Sequence, residues 1–310
     1  MAGKKRTSDA VGTIGANASS RRRTTTTAEV DDSATAPQNQ VPDVVQSTSD
    51  DASRDVGSTE QVDEVTIRTL SKHIWNLRGS EQDVNASLEW LLKVGFFDPR
   101  VSVPEQDLPY ETASQAVKLG ILPNLLSCIP AWKDTDMIVE QALAVLGALL
   151  LSSKNDFPAV MSIAVELDII DSIVGSMKIR PGRQMITRLS LFSLKVIFRC
   201  FLDESSQDRR EVDISTMTEL LEIDDSIYTI IKSTDSEELV MHRTANLNLM
   251  DLILNLMECD DKLDRKYRVR DLLVAEGAIS KVAKIIETMP EYEDVQKNAR
   301  KAMSKLIQTD

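Results

Sequence analysis

Apolar residues return at helical spacing along nearly the whole chain after residue 58, and hardly at all before it. Val62, Val65, Ile67, Leu70, Ile74 and Leu77 recur every two to four residues behind the run Ser58-Thr59-Glu60-Gln61, a capping-box arrangement that suits the free amides of a helix start. A first helix is predicted there. Gly79-Ser80 interrupt it, and the stretch VNASLEWLLKVGFF from Val84 predicts a second helix with Leu88, Leu91 and Leu92 inward. Pro99, Pro104 and Pro109 then predict a loop, because each lacks a backbone donor.

Farther along, one pattern is written four times. Gly120, Asp168, Asp225 and Gly277 are small or turn-prone residues, each able to close one helix just before another begins. Apolar residues follow two, five and nine places on: Leu122, Leu125, Ile129; Ile170, Ile173, Met177; Ile227, Ile230, Thr234; Ile279, Val282, Ile286, with Thr234 the one exception. A longer helix comes next, its first apolar anchor expected at Ile138, Ile186, Met241 or Val295, which lie 18, 18, 16 and 18 residues past the turn. Four residues beyond each anchor stand Ala142, Ser190, Ala245 and Ala299, then Leu146, Leu194, Leu249 and Met303, then Leu149, Ile197, Leu252 and Leu306. A small residue at a fixed place among large ones lets helices cross closely. A unit of two or three helices cannot bury both its faces alone, whereas stacked copies cover one another, so the repetition predicts an all-α solenoid.

The stretches AVKLGILPNLLSCI…DMIVEQALAVLGALL and VAEGAISKVAKII…EDVQKNARKAMSKLI resemble armadillo repeats, with the G-I-P-x-L-L turn and helix and the V-Q-x-x-A-x-x-x-L-x-x-L long helix of that family. The resemblance covers four repeats over 110–310, preceded by a weaker one over 59–109. The turns are 48, 57 and 52 residues apart, against about 40–47 in the class, so inserted loops are expected, notably LDESSQDRREVD from Leu202 and CDDKLDRKYRV from Cys259. HEAT-like stacking is the near alternative. The resemblance implies a right-handed, monomeric solenoid acting as a scaffold or adaptor that binds a partner protein or peptide along a groove lined by the long helices. In the importin-alpha branch of the family, a Trp two places after the small residue and an Asn six places after it hold a basic peptide. The matching positions here are Ala144, Phe192, Leu247 and Lys301, and Ala148, Val196, Asp251 and Lys305. Neither ladder is present, which counts against a nuclear transport adaptor; a regulatory subunit or co-chaperone that grips a folded partner is the other alternative.

On those groove positions Ala144, Ala148 and Val196 suit packing between units, and Phe192 and Leu247 suit either core or contact. Asn248, Asp251, Asn255, Lys301 and Lys305 are polar on a face the family leaves open, and as a row they are binding candidates. Chemistry of other kinds finds few residues to carry it. The two histidines, His73 and His242, have no nucleophile or ligand set at local spacing. The acidic run DDKLDRKYRVRD lacks the central Gly of a calcium loop, and IRPGRQ at Ile179 reads as a turn rather than a phosphate cradle. No catalytic residue, cofactor, metal or small-molecule substrate is therefore expected.

Composition narrows the partners. The net charge of -13 argues against nucleic acid, which rewards positive charge. No apolar run approaches the ~18 residues of a membrane span, and no signal-peptide core opens the chain. Cys128, Cys200 and Cys259 are far apart in apolar contexts and read as reduced core thiols, which suits a cytoplasmic or nuclear protein. Residues 1–58 are rich in Ser, Thr, Ala, Asp and Gln and are predicted to form a disordered tail. Its basic clusters, Lys4–Arg6 and Arg21–Arg23, are compatible with a nuclear signal, a transit peptide or neither.

Overall fold

Left-handed backbone at four positions marks where the repeated units turn. In a computed structural model that describes residues 64–95, 110–152, 157–202, 225–262 and 268–308, Gly120 has φ 78°, Asp168 51°, Asp225 60° and Gly277 87°. They are the four turn residues of the repeated pattern. Each leads directly into a helix, and Gly120, Asp168 and Gly277 also follow closely on the end of one; the turn carbonyl accepts a first bond, Ser172 N donating to Asp168 O, Thr229 N to Asp225 O and Lys281 N to Gly277 O. A Cβ added at Gly120 or Gly277 would meet nothing within 4 Å, so glycine is there for its backbone freedom and not for room. Gly120→Ala and Gly277→Ala should each cost ~1 kcal/mol, while Asp168→Gly and Asp225→Gly should gain up to ~1 kcal/mol. Denaturant midpoints check this; an unchanged midpoint for Gly277→Ala would count against the left-handed turn.

The described residues form fourteen α-helices and no strand, all within the unit Gly57–Asp310. In chain order these are α1 (Glu64–Asn76), α2 (Glu81–Trp90), continued by a π-helical turn at Leu91–Gly95, α3 (Tyr110–Lys118), α4 (Ile121–Ala131), α5 (Asp136–Ser152), α6 (Phe157–Glu166), α7 (Ile169–Ile179), α8 (Gln184–Leu202), α9 (Ser226–Ser233), α10 (Glu237–Val240), α11 (Arg243–Lys262), α12 (Arg268–Ala275), α13 (Ala278–Thr288) and α14 (Glu293–Leu306). None is long and apolar enough to cross a membrane. The helices pack in two rows. One runs α2, α5, α8, α11, α14, each against the next; the other runs α1, α4, α7, α9. Within a unit the rows meet through α4 on α5, α7 on α8 and α13 on α14.

The apolar sets explain these contacts. Leu122, Leu125, Ile129, Ile170, Ile173, Met177, Ile227, Ile230 and Val282 are buried, as is Thr234, whose hydroxyl donates to Ile231 O. Ile279 and Ile286 are half-buried against the same core. Leu70, Ile74, Leu77, Leu88, Leu91 and Leu92 are inward as expected, but Val65 is 75% exposed and points out. The break at Gly79-Ser80 is followed by a capping box in which Ser80 Oγ accepts from Asp83 N and Asp83 answers to Ser80 N. The run Ser58–Gln61, the loop of Pro99, Pro104 and Pro109, the tail 1–58 with its basic clusters, and most of the insertion after Leu202 lie outside the described residues. The second expected loop is shorter than its sequence suggests, because α11 continues through Cys259 to Lys262 and α12 begins at Arg268.

One anchor is corrected. Met241 is 58% exposed in the turn before α11, because the one-turn helix α10 lengthens the connection there. The third residue of each long helix is Ile138, Ile186, Ala245 and Val295, and all four are buried. The register of the third unit therefore moves by one helical turn. The next position bears this out physically: Asn246 and Gln296, both one residue past the anchor, do the same work. Asn246 Nδ2 donates to Leu239 O and Val240 O at 3.1 and 2.8 Å, and Gln296 Nε2 to Ile286 O and Met289 O at 2.8 and 3.2 Å. Each amide satisfies carbonyls left over at the end of the preceding helix. In the shifted register Leu249 takes the place expected for a small residue, and Asp251 and Asn255 replace Leu247 and Asp251 as the positions two and six beyond it.

Candidate functional site

Three neighbouring long helices each leave one stripe uncovered. On α8 the described residues that are not buried from its second turn onward are Arg188, Phe192, Lys195, Arg199 and, at its end, Cys200 and Leu202. On α11 the stripe is Leu247, Asp251, Asn255 and Glu258, and on α14 it includes Asp294, Asn298, Lys301 and Lys305. Steps of three and four residues keep each set on one face. Since α8 packs on α11 and α11 on α14, the three stripes form one surface. It stops at α5, where every residue from Ala142 to Leu150 is buried, including Ala144 and Ala148. Gly147 makes this closure possible: a Cβ there would stand 2.9 Å from Phe192 Cδ1 and 3.2 Å from Ser193 Oγ, so the Phe192 ring lies on bare backbone.

Polar contacts stitch the stripes together. Lys195 Nζ pairs with Asp251 Oδ2 at 2.9 Å and donates to Asn248 Oδ1 at 3.2 Å, while Asn255 Nδ2 donates to Lys195 O at 3.4 Å. From the other side Asn298 Nδ2 donates to Asp251 Oδ1 at 2.6 Å. Asp251 thus holds one neighbour with each oxygen. Lys195 and Asp251 are 18% and 22% exposed, so their attraction is less screened than that of a surface pair, and removing one partner would strand the other. At the two ends of the α11–α14 seam, Arg243 grips Asp294 through two bonds of 3.3 and 2.8 Å, and Lys305 pairs with Asp261 at 3.3 Å. The hydrogen bonds from Arg243 hold the Asp294 carboxyl below the usual carboxylate range. No protein-family model, curated protein or solved structure matches the chain.

The expected groove residues are therefore close together, in unequal circumstances. Phe192 and Leu247 are half-buried against the core, Asn248 is buried, Asp251 and Asn255 are engaged with Lys195, Lys305 is paired, and Lys301 is fully open. Val196 is buried with Ala144 and Ala148. Lys195, Asn298, Gly147 and Arg188 were not among the expected set. A signal was present for two of them: Arg188 and Lys195, with Arg199, are the charged residues of α8 and stand at the spacing of a single face.

The other candidate chemistry resolves into structure. His73 stacks on Trp90 with centroids 4.3 Å apart, and its Nδ1 is 3.2 Å from Ser87 Oγ. Ser87 is completely buried, and burial first and the charge of Lys72 second lower the His73 pKa; among the described residues the pair has neither an accessible nucleophile nor a carboxylate to orient the base. His242 accepts from Ala245 N at 3.4 Å through Nδ1, a cap on α11, and burial first and Arg188 second lower its pKa. Cys128 and Cys259 are buried and Cys200 half-buried; burial pushes the Cys128 thiol up to about 12. Among the described residues no group of three or more His, Cys, Asp or Glu is placed to hold a metal ion.

Proposed function

We propose that this protein is a non-catalytic scaffold or adaptor, an armadillo-like right-handed solenoid that binds an extended segment of a partner protein along the face shared by α8, α11 and α14. One observation carries the reading: three successive long helices leave open stripes in register, and those stripes mix a half-buried aromatic, aliphatic and amide groups and charges. A merely solvated face would be charged throughout; a packing face would be apolar. Phe192 and Leu247 supply the apolar contacts, Asn255 and Asn298 keep amide groups turned to the face, and Lys301 and Lys305 give it a basic end. The protein works as a monomer in the cytoplasm or nucleus.

Selection of displayed random peptides on the full chain, followed by hydrogen exchange with the best binder, tests this. New protection should be confined to α8, α11 and α14. Phe192→Ala should weaken that binder by more than Lys301→Glu, since an anchor in a packed site contributes ~2 kcal/mol and an exposed ion pair ~0–1 kcal/mol. Reversing both lysines should make the remaining binding less salt-sensitive. Protection that appears elsewhere, or binding indifferent to all three residues, would remove the assignment.

A further inference from the structure

Arg188 has no partner among the described residues. Its Nε is buried without any hydrogen-bond acceptor, and no described carboxylate offsets the burial that lowers its pKa. Arg188 in turn acts on His242, whose pKa it helps to lower after burial, and the two are of the same sign when His242 is protonated. This is unusual in a chain with 49 acidic residues against 36 basic ones. A guanidinium drawn partly out of water normally has a carboxylate in front of it, because the unpaired charge is costly. Here the other partly buried cations have theirs: Lys195 has Asp251, Lys281 has Asp235 and Arg180 has Asp136. The exception stands on the open stripe of α8, one turn before Phe192, with Lys195 and Arg199 farther along the same face.

We propose that Arg188 is the anion receptor of this face, and that the partner segment places a carboxylate against it and an apolar side chain on Phe192. The inference rests on the reading of the face as a binding surface and specifies what binds. Charge complementarity selects the occupant: of the cations on the stripe of α8, Lys195 already holds Asp251, whereas Arg188 has no described acid, so the side chain that meets Arg188 is acidic. Spacing refines the sequence. Arg188 and Phe192 are ~6 Å apart along the helix, while an extended segment advances ~3.3 Å per residue with alternate side chains on one side. The fitting segment is acidic at its first position and apolar at its third, two side chains that share one side.

The resulting arrangement trades stability for binding, which gives two independent readouts. Arg188→Gln keeps most of the packing and removes the uncompensated charge, so the full-length variant should melt at the same temperature as the native protein or higher. Binding of a fluorescein-labelled peptide Glu-Ser-Leu-Ser-Ser-Ser, followed by anisotropy, should fall at least about tenfold in the variant, equal to ~1.4 kcal/mol. The peptide Gln-Ser-Leu-Ser-Ser-Ser should bind the native protein about as weakly as the glutamate peptide binds the variant. Arg188→Lys should restore only part of the affinity, since it lacks the two-pronged geometry. A clear loss of melting temperature in Arg188→Gln, equal affinity for the two peptides, no binding of the glutamate peptide, or binding of it that survives Arg188→Gln would each overturn the assignment. Exchange protection of α8, α11 and α14 by a selected peptide lacking acids would do so while leaving the face itself as a binding surface; protection elsewhere would remove both.

Discussion

A chain shortened to end at residue 262 should no longer behave as a stable monomer. The deletion removes α12, α13 and α14, whose buried residues Val269, Leu273, Ala278, Val282, Ile285, Val295, Ala299, Ala302 and Leu306 are the inner side of the last unit. It also uncovers α11, which packs on α14 and α12 and has nearly its whole circumference buried, with Leu249, Leu252, Ile253 and Leu256 at 1% exposure or less. Exposing a fully buried aliphatic side chain costs ~1.5–3 kcal/mol, so baring only those that α12 and α14 cover already weighs against the 5–15 kcal/mol that holds a domain folded. In the intact chain the exposed residues of α14 include Lys297, Arg300, Lys301 and Ser304, a polar surface in place of the apolar one that the deletion would open. Size-exclusion chromatography and circular dichroism of the shortened chain should show self-association and a melting temperature lowered by tens of degrees or an absent transition. A monomer of unchanged stability would mean that α11 is not covered as described.

Among substitutions of polar residues, Asn246→Ala should cost the most, about 3 kcal/mol. Asn246 is completely buried. Its Nδ2 lies within hydrogen-bond distance of Leu239 O, Val240 O and Met289 Sδ, joining the end of α10 to the turn after α13. Alanine leaves two buried carbonyls without a donor and a gap where the amide stood, and both effects destabilise. Asn246→Asp should be no better, since the carboxylate would face those carbonyls unless protonated. Gln296→Ala, with the same geometry at a slightly more open place, should cost about half as much. Lys297→Ala on the exposed side of α14 should stay within about 0.5 kcal/mol. Guanidinium denaturation of the four variants orders them; a loss below ~1 kcal/mol for Asn246→Ala would show that water replaces the amide, contrary to its burial.

The same residue explains why one part of the repeat was misread. Around α11 apolar residues occupy so much of the circumference that the sets starting at Met241 and at Ala245 both satisfy a helical period. The pattern could not separate them by sequence, and counting from Asp225 favoured Met241 because α10 was invisible in it. Only the matching duties of Asn246 and Gln296 break the tie. Val65 failed for a simpler reason: it has the right spacing for the inner face of α1, but it lies at the helix start, where the described structure brings nothing over it. The groove residues were legible as a group and not as individuals. Phe192 shows why, since its partial burial depends on Gly147, 45 residues earlier by numbering, having no side chain.

The sequence by itself determined that the chain is helical, where its four units turn and which residues of the second helices face inward. Those properties are short-range: a 3.6-residue period and the tolerance of Gly and Asp for left-handed backbone act within one turn. Only the tertiary structure decided which face stays open, that Lys195, Asp251 and Asn298 join three helices, and that Arg188 is left without an acid. Lys195 and its partner Asn248 are 53 residues apart in the chain, and nothing local in either residue names the other. Whether a charge is satisfied depends on what the fold carries past it, and among these helices an acid reaches Lys195 while none reaches Arg188.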